Sequence, residues 1–117
     1  MSAGRIDRVR ARNEELGLDA LLITAPSNRR WVSGFTGSNG VLLVDRDQAL
    51  FATDSRYWEQ VAGQAPEFTV VRLEGATTTS APRLLEGQGG RRVGYEPAGM
   101  TVEVFAEWER AVAALPA

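Results

Sequence analysis

Hydrophobic and polar residues follow two spacings along the first part of the chain, and these spacings predict a helix and then a strand. Residues 5–16 repeat apolar side chains about one helical turn apart, and Gly17 follows as a natural helix stop. The inward face of this helix is predicted to carry Ile6, Val9, Asn13 and Leu16. Residues 18–24 form a run that is apolar on both faces, which is typical of a central strand.

The middle of the chain predicts a β-hairpin followed by a helix and another strand. Apolar runs at 41–44 and 49–52 flank the short polar turn 45–48, a pattern that favours antiparallel pairing. Residues 55–63 have helical spacing, and 68–73 alternate like a strand. Before the hairpin, 29–34 are ambiguous and fit at most one helical turn, and 35–40 form a glycine-rich loop.

The last third begins with the least organised stretch of the sequence. Residues 74–90 predict a loop, one weak helix at 83–86 that Ser80 would cap, and a second loop. A short strand is predicted at 92–96. Thr101 then caps a helix whose apolar stripe is Val104, Phe105, Trp108, Val112 and Leu115.

Strands and helices therefore alternate, with one hairpin interrupting the alternation. This order predicts an α/β fold with a mixed β-sheet that contains one antiparallel hairpin and is flanked by helices. A length of 117 residues suits a single domain.

The composition excludes most catalytic machinery. The chain has no histidine and no cysteine, and all 13 of its basic residues are arginines. It therefore has no Ser-His or Cys-His pair, no thiolate, no lysine Schiff base and no zinc site of the usual type. A site built from carboxylates alone stays possible, but a stand-alone enzyme becomes the less favoured interpretation.

Charge and hydropathy argue against two classes of partner. A net charge of −2 offers no field to attract nucleic acid or an acidic membrane. No apolar run reaches the length that spans a bilayer, and the N-terminus lacks the apolar core of a signal peptide. We expect a cytoplasmic protein without a nucleic-acid or membrane partner.

Two segments carry most of the unusual residues. The first, 28–40, has three glycines, two adjacent arginines and two aromatic residues. Its glycines either serve turns in a surface loop or let backbone N–H groups approach a ligand. The spacing is not that of a dinucleotide-binding loop, and no P-loop lysine follows.

The second segment, 53–60, lies at a predicted strand-to-helix junction. Asp54 would cap the helix, with Tyr57 and Val61 facing the core. Arg56 would pair with Glu59, or else be buried with Asp54 or directed at a carboxylate of a partner.

Together these segments resemble the N-terminal domain of the creatinase/prolidase/aminopeptidase P family. The resemblance begins at 17–23, continues through the run Asn28-Arg29-Arg30-Trp31-Val32-Ser33-Gly34-Phe35-Thr36-Gly37-Ser38 and the hairpin, and includes 53–62 and 93–96. It covers nearly the whole chain. Two positions depart from the family pattern: Ser55 stands where glycine is common, and Trp31 where tyrosine or phenylalanine is common.

The resemblance implies a ribonuclease H-like domain, here residues 1–117, that precedes a "pita-bread" catalytic domain absent from this chain. In the family, that catalytic domain holds two divalent metal ions (manganese, cobalt or zinc), and a metal-bridged hydroxide attacks the peptide bond before proline. The ligands include a histidine, so no metal or catalytic residue is expected in this chain. The implied partners are its own catalytic domain, a second subunit in a homodimer or larger homo-oligomer, and proline-containing peptides.

In such enzymes the N-terminal domain commonly lends a loop to the active site of the partner subunit. Carried over by position, the substrate-proximal residues are Asn28, Arg29, Arg30, Trp31, Phe35, Thr36 and Ser38. The residues implied to support this loop from behind are Asp54, Arg56 and Tyr57. The motif leans towards aminopeptidase P, with prolidase as the other candidate. Two alternatives stay open: a free-standing binding or dimerisation module, and an independent carboxylate-based hydrolase.

Overall fold

The computed structural model describes residues 2–37, 39–73, 81–96 and 101–115. Its strands are β1 (Ala20–Ile23), β2 (Val41–Asp45), β3 (Ala49–Thr53), β4 (Thr69–Arg72) and β5 (Val93–Gly94). Its helices are α1 (Ser2–Leu16), α2 (Pro26–Ser33), α3 (Trp58–Gln64), α4 (Ala81–Leu84) and α5 (Val102–Ala113). The predicted order of helices and strands is confirmed. The predicted cap Ser80 lies outside the described residues.

The five strands form one mixed sheet in the order β4-β3-β2-β1-β5. β2 and β3 are the predicted antiparallel hairpin, in which Val44 pairs with Ala49 and the Asp45 N–H donates to the Gln48 carbonyl. β1 pairs antiparallel with β2 and parallel with β5, while β3 pairs parallel with β4. The central position predicted for β1 is confirmed.

Helices cover both faces of the sheet, and each face has its own hydrophobic cluster. One cluster joins Ile6 of α1, Val32 of α2 and Val61 of α3 to the sheet. The other joins Leu84 of α4 and Trp108 of α5 to the opposite face. All five residues of β2 are buried. The side chains of residues 41–44 alternate between the two clusters, while Asp45 at the end of the strand is buried as a polar residue.

Helix α2 is longer than the single ambiguous turn that the sequence predicted. Pro26 stands in its first turn, where a missing N–H costs nothing. Gly34 ends the helix with φ 79°, and its N–H donates to the Arg30 carbonyl. Eight residues with few apolar side chains give too short a pattern to reveal such a helix, so only these two ends carry a signal.

Three local expectations need correction. Leu16 is 55% exposed, because α1 ends there and Gly17 (φ 70°) turns the chain towards β1. α3 begins at Trp58 rather than at residue 55, since a turn over 55–57 precedes it. β5 is shorter than predicted, because the Glu96 side chain binds the β1–α2 junction in place of further strand pairing.

The predicted caps of α5 and α3 have different outcomes. Thr101 accepts a hydrogen bond from the Val104 N–H, so the predicted cap of α5 is confirmed. Asp54 does not cap α3: its side chain accepts from the Arg56 N–H, and its backbone carbonyl accepts from the Tyr57 N–H.

Among the described helices, none combines the length and apolar character that crossing a membrane requires.

Candidate functional site

Residues 34–40, the α2–β2 loop, are anchored by an aromatic side chain in the core. Phe35 is 1% exposed and meets Phe51 edge-on with ring centroids 4.8 Å apart. The Tyr57 ring stands edge-on to Phe35 on another side, at 5.4 Å. Edge-to-face pairs of this kind add to the stabilisation from buried area. Phe35, one of the predicted substrate-proximal residues, thus lies behind the loop surface.

Two glycines of the loop are required by this aromatic packing. A Cβ placed on Gly37 would stand 2.1 Å from the Phe35 ring, and one on Gly40 would stand 2.4 Å from the Phe51 ring. Both distances are far below van der Waals contact. These glycines therefore allow the backbone to approach aromatic side chains, which explains their presence without a ligand.

Arg29 holds the same loop from inside. It is 6% exposed, and its guanidinium donates to the carbonyls of Gly40 at 3.1 Å and Gly37 at 3.3 Å. No carboxylate pairs with it in the described part of the chain, and its Nε–H has no partner there. Burial lowers the pKa of Arg29 from its ordinary value, and Tyr57 offsets part of this effect.

The residues before α3 fasten the far end of the loop. Asn39 donates from Nδ2 to Asp54 Oδ2 at 2.6 Å, and the Thr53 hydroxyl donates to the Asn39 carbonyl at 2.8 Å. Arg56 donates two hydrogen bonds to the same carboxylate, from Nε at 2.8 Å and from Nη2 at 3.0 Å. Of the pairings expected for Arg56, the structure has the one with Asp54, on the surface rather than buried.

This hydrogen bonding sets the protonation of both groups. Hydrogen bonds from Arg56 and Asn39 hold the pKa of Asp54 well below its usual range. The Asp54 carboxylate in turn raises the pKa of Arg56. Both groups are therefore charged throughout the neutral range.

Arg30 and Trp31 present the exposed face of this region. Arg30 is exposed, and Trp31 keeps 43% of its surface accessible. Arg5 of α1 lies over the Trp31 ring at 5.3 Å and donates to the Trp31 carbonyl at 2.7 Å. This cation–π contact fixes the indole while leaving part of it exposed.

Asn28 and Thr36, two polar residues of the candidate site, are also held by hydrogen bonds. Asn28 donates to the Glu96 carboxylate, which also accepts from the N–H groups of Thr24 at 2.7 Å and Ala25 at 3.0 Å. The Thr36 N–H donates to Gln64 Oε1 at 3.1 Å. Ser38, another predicted site residue, lies outside the described residues.

Sequence reasoning missed three residues that shape this surface: Arg5, Glu96 and Gln64. Arg5 lies 26 positions before Trp31, and Glu96 lies 68 positions after Asn28. Such long-range contacts depend on how α1 and β5 pack beside α2, which local spacing does not encode. The one available signal was that Glu96 belongs to a segment that resembles the family.

Asp45, the first acid of the hairpin turn, holds the backbone of that turn. Asp45 is 2% exposed, and its Oδ1 accepts from the N–H groups of Asp47 at 2.8 Å and Gln48 at 2.7 Å. Gln88, which sequence reasoning missed, donates to Asp45 Oδ2 at 3.0 Å. Burial alone would raise the pKa of Asp45, but these hydrogen bonds outweigh it and lower the pKa.

The described residues do not suit the metal ions that the resemblance implies for a neighbouring domain. They contain no group of three or more histidine, cysteine, aspartate or glutamate side chains that could hold an ion. Asp54 and Asp45 are engaged by arginine, amide and backbone donors instead. The arrangement of these residues can position a loop and present a surface.

Comparison with known proteins places this geometry in context. The sequence pattern of the family described as Creatinase/Prolidase N-terminal domain matches residues 5–116. An uncharacterized peptidase, YqhT, of Bacillus subtilis is 32% identical over 108 residues, which are 92% of this chain and 31% of that protein. This chain therefore spans about a third of the length of that relative.

Solved structures of peptidases share the fold, and two of them show how it occurs. An Xaa-Pro dipeptidase from Bacillus anthracis superposes with a TM-score of 0.86 at 29% identity, covering 98% of this chain and 32% of that one. The N-terminal domain of the cytoplasmic peptidase PepQ from Mycobacterium tuberculosis superposes with a TM-score of 0.80 at 34% identity, covering 97% of this chain and 91% of that one. The same fold thus occurs both within a longer peptidase chain and as a separately crystallised domain.

Proposed function

Since this chain belongs to the creatinase/prolidase N-terminal domain family, we propose that it is the non-catalytic N-terminal domain of a metal-dependent Xaa-Pro peptidase, either an aminopeptidase P or a prolidase. Residues 1–117 are then one domain, and its first partner is a catalytic domain elsewhere in the protein. One observation carries the proposal: the chain matches about a third of a peptidase of known structure over nearly its own full length.

The hydrolytic chemistry belongs, in this proposal, to the catalytic domain. Two divalent ions there, manganese, cobalt or zinc, would supply an activated water for attack on the bond before proline. The described residues of this chain contain no group that could hold such ions. This domain acts on the substrate through shape and charge at its surface.

We further propose that residues 28–38, which comprise most of α2 and the start of the α2–β2 loop, are lent together as one loop region to the active site of a partner subunit in a homodimer or larger homo-oligomer. The support is the contrast between its two sides. Arg29, Phe35 and Asp54 fix it from behind, while Arg30 and Trp31 face outwards. A positioned loop costs less entropy on binding than a flexible one.

The two exposed side chains suit a proline-containing peptide. The half-exposed Trp31 ring offers an apolar surface for a proline ring. The Arg30 guanidinium offers a planar pair of donors to a peptide carboxylate. Asn28 and Thr36 border the same surface as weaker, polar contacts. Ser38 completes the proposed substrate-proximal set.

The proposed setting is the cytoplasm, without a nucleic-acid or membrane partner. The support is the net charge of −2 and the peptidase PepQ, whose name describes it as cytoplasmic. The negative net charge supports the absence of such partners, because binding to nucleic acid or to an acidic membrane requires a basic surface.

The loop proposal is tested by measuring peptidase kinetics on the protein that contains both this domain and its catalytic domain. Arg30→Ala and Trp31→Ala should each raise KM for an Xaa-Pro peptide about tenfold, because each removes a contact to bound substrate. The matched control is Arg12→Ala, since Arg12 is an exposed arginine of α1 that pairs with Glu15. Unchanged KM in both loop variants would overturn the loop proposal. No hydrolysis of any Xaa-Pro peptide by the unaltered protein would overturn the proposed enzyme class.

A further inference from the structure

A polar cleft opens at the end of the sheet opposite the α2–β2 loop. Its volume is about 490 Å³, and it is formed by α1, the β2–β3 turn, the segment leading into β1, and Arg91. β2 enters the sheet from the loop at Val41 and leaves it at Asp45, beside this cleft. The volume lies within the range of sites for small molecules.

The cleft has unused hydrogen-bond donors. Three arginines line it: Arg10, Arg46 and Arg91. Arg46 has no ion-pair or hydrogen-bond partner in the part of the chain that the structure describes. Arg91 Nη1 lies 3.8 Å from Asp45 Oδ2, beyond hydrogen-bond distance. A guanidinium has five N–H donors in a planar fork that matches a carboxylate, so the arginines of this cleft can bind the carboxylate group of a ligand.

The same cleft also carries unused acceptors. The carboxylates of Glu14 and Asp47 line it, and neither has a partner among the described residues. Asn13, 4% exposed, also lines it; its Nδ2 donates to the Val44 carbonyl, while its Oδ1 has no partner in the described ranges. These oxygens suit an ammonium or amide N–H.

The balance of charge selects the class of ligand. Four acidic residues line the cleft against three arginines. A phosphate or another polyanion needs an excess of positive charge, which this lining does not provide. A molecule that carries one carboxylate and one ammonium group satisfies both sets of side chains.

We propose that this cleft binds a small zwitterion, namely a free amino acid or a dipeptide. Its carboxylate pairs with the arginines of the cleft, chiefly Arg46 and Arg91. Its ammonium group pairs with Glu14 and Asp47. The proposal stands on the lining of the cleft and does not depend on the function proposed for the α2–β2 loop.

Titration of the chain with glycylglycine, followed by ¹⁵N nuclear magnetic resonance, tests the proposal. The Arg46 and Arg91 Nε–H signals and the Asn13 amide signals should shift and saturate at millimolar concentration. Two probes each lack one charge: N-acetylglycine has no ammonium group, and glycinamide has no carboxylate. Each should bind at least about tenfold more weakly than glycylglycine, because each loses a charged contact.

Variants identify the residues responsible. Arg46→Gln and Glu14→Gln should each weaken glycylglycine binding about tenfold, and the matched control Arg12→Gln should leave it unchanged. Both cleft positions are exposed, so backbone amide spectra will show whether the fold is intact. The proposal is overturned if no signal saturates, if N-acetylglycine binds as well as glycylglycine, or if Arg46→Gln leaves the affinity unchanged.

Discussion

Asn39 donates a hydrogen bond of 2.6 Å to Asp54, and this contact ties the α2–β2 loop to the residues before α3. The same carboxylate accepts two further hydrogen bonds from the Arg56 guanidinium. Because a charged acceptor forms the stronger kind of hydrogen bond, the loop end is fixed by electrostatics as well as by packing. The loop is therefore built as a positioned surface.

Replacing Asp54 should release that end of the loop. Asp54→Ala removes the acceptor of both Asn39 and Arg56, so the Asn39 amide and its neighbours should exchange hydrogen faster than in the unaltered chain. The β1 amides should keep their protection, because they lie in a different part of the sheet. The measurement is amide hydrogen exchange, with Glu59→Ala as a control, since Glu59 is exposed and pairs with neither residue. Equal exchange at residue 39 in all three proteins would contradict the account.

Arg29 should contribute to stability through its two carbonyl contacts. Arg29→Met keeps most of the buried stem but removes the donors to Gly37 and Gly40, and we expect the free energy of unfolding to fall by about 1–3 kcal/mol. Urea unfolding measures this change. The adjacent Arg30→Met is the matched control and should change stability by less than about 0.5 kcal/mol, because Arg30 is exposed. Equal effects at both positions would show that the carbonyl contacts are unimportant.

Glycine 37 should not tolerate a methyl group. Gly37→Ala places a Cβ against the Phe35 ring, which is held between Phe51 and Tyr57, and overpacking of this kind costs about 1–3 kcal/mol. Gly63→Ala is the control: Gly63 lies in α3 with open space around it, so alanine there should stabilise by about 0.5–1 kcal/mol. The two glycines are thus expected to respond with opposite signs in thermal or urea unfolding.

The buried carboxylate of Asp45 should make stability depend on pH. Its pKa is lower in the folded chain than in the unfolded one, so its contribution is fully present above the unfolded value near 3.9 and is lost as the pH falls through the folded pKa. Asp45→Asn should flatten this acidic part of the profile and destabilise the chain at pH 7 by about 2 kcal/mol, since Asn cannot accept every hydrogen bond. The neighbouring Asp47→Asn should preserve the profile. An unchanged acid limb in Asp45→Asn would contradict the assignment.

Most of the fold was predictable from local signals in the sequence. The hairpin, the central β1 and the Thr101 cap were predictable because spacing, turn composition and capping act over a few residues. Helix α2 was underestimated because it is short and mostly polar, so only Pro26 and Gly34 mark it.

The candidate site was less predictable than the fold. The sequence singled out the two segments that form it, but the direction in which each side chain points depends on tertiary packing. Arg29 and Arg30 are adjacent and identical in type, yet one is buried under the loop and the other is exposed. The contact of Arg5 with Trp31 likewise requires α1 to lie beside α2.

The most direct test of the central claim is mixing of subunits in the protein that carries both domains. One subunit type carries Arg30→Ala with Trp31→Ala, and the other has an intact loop but an inactivating substitution of a metal ligand in its catalytic domain. If the loop acts on the partner subunit, mixed oligomers should regain Xaa-Pro peptidase activity well above that of either parent, because each functional catalytic centre then receives an intact loop. At a substrate concentration below KM, mixed oligomers that form but are no more active than the loop variant alone would contradict the account.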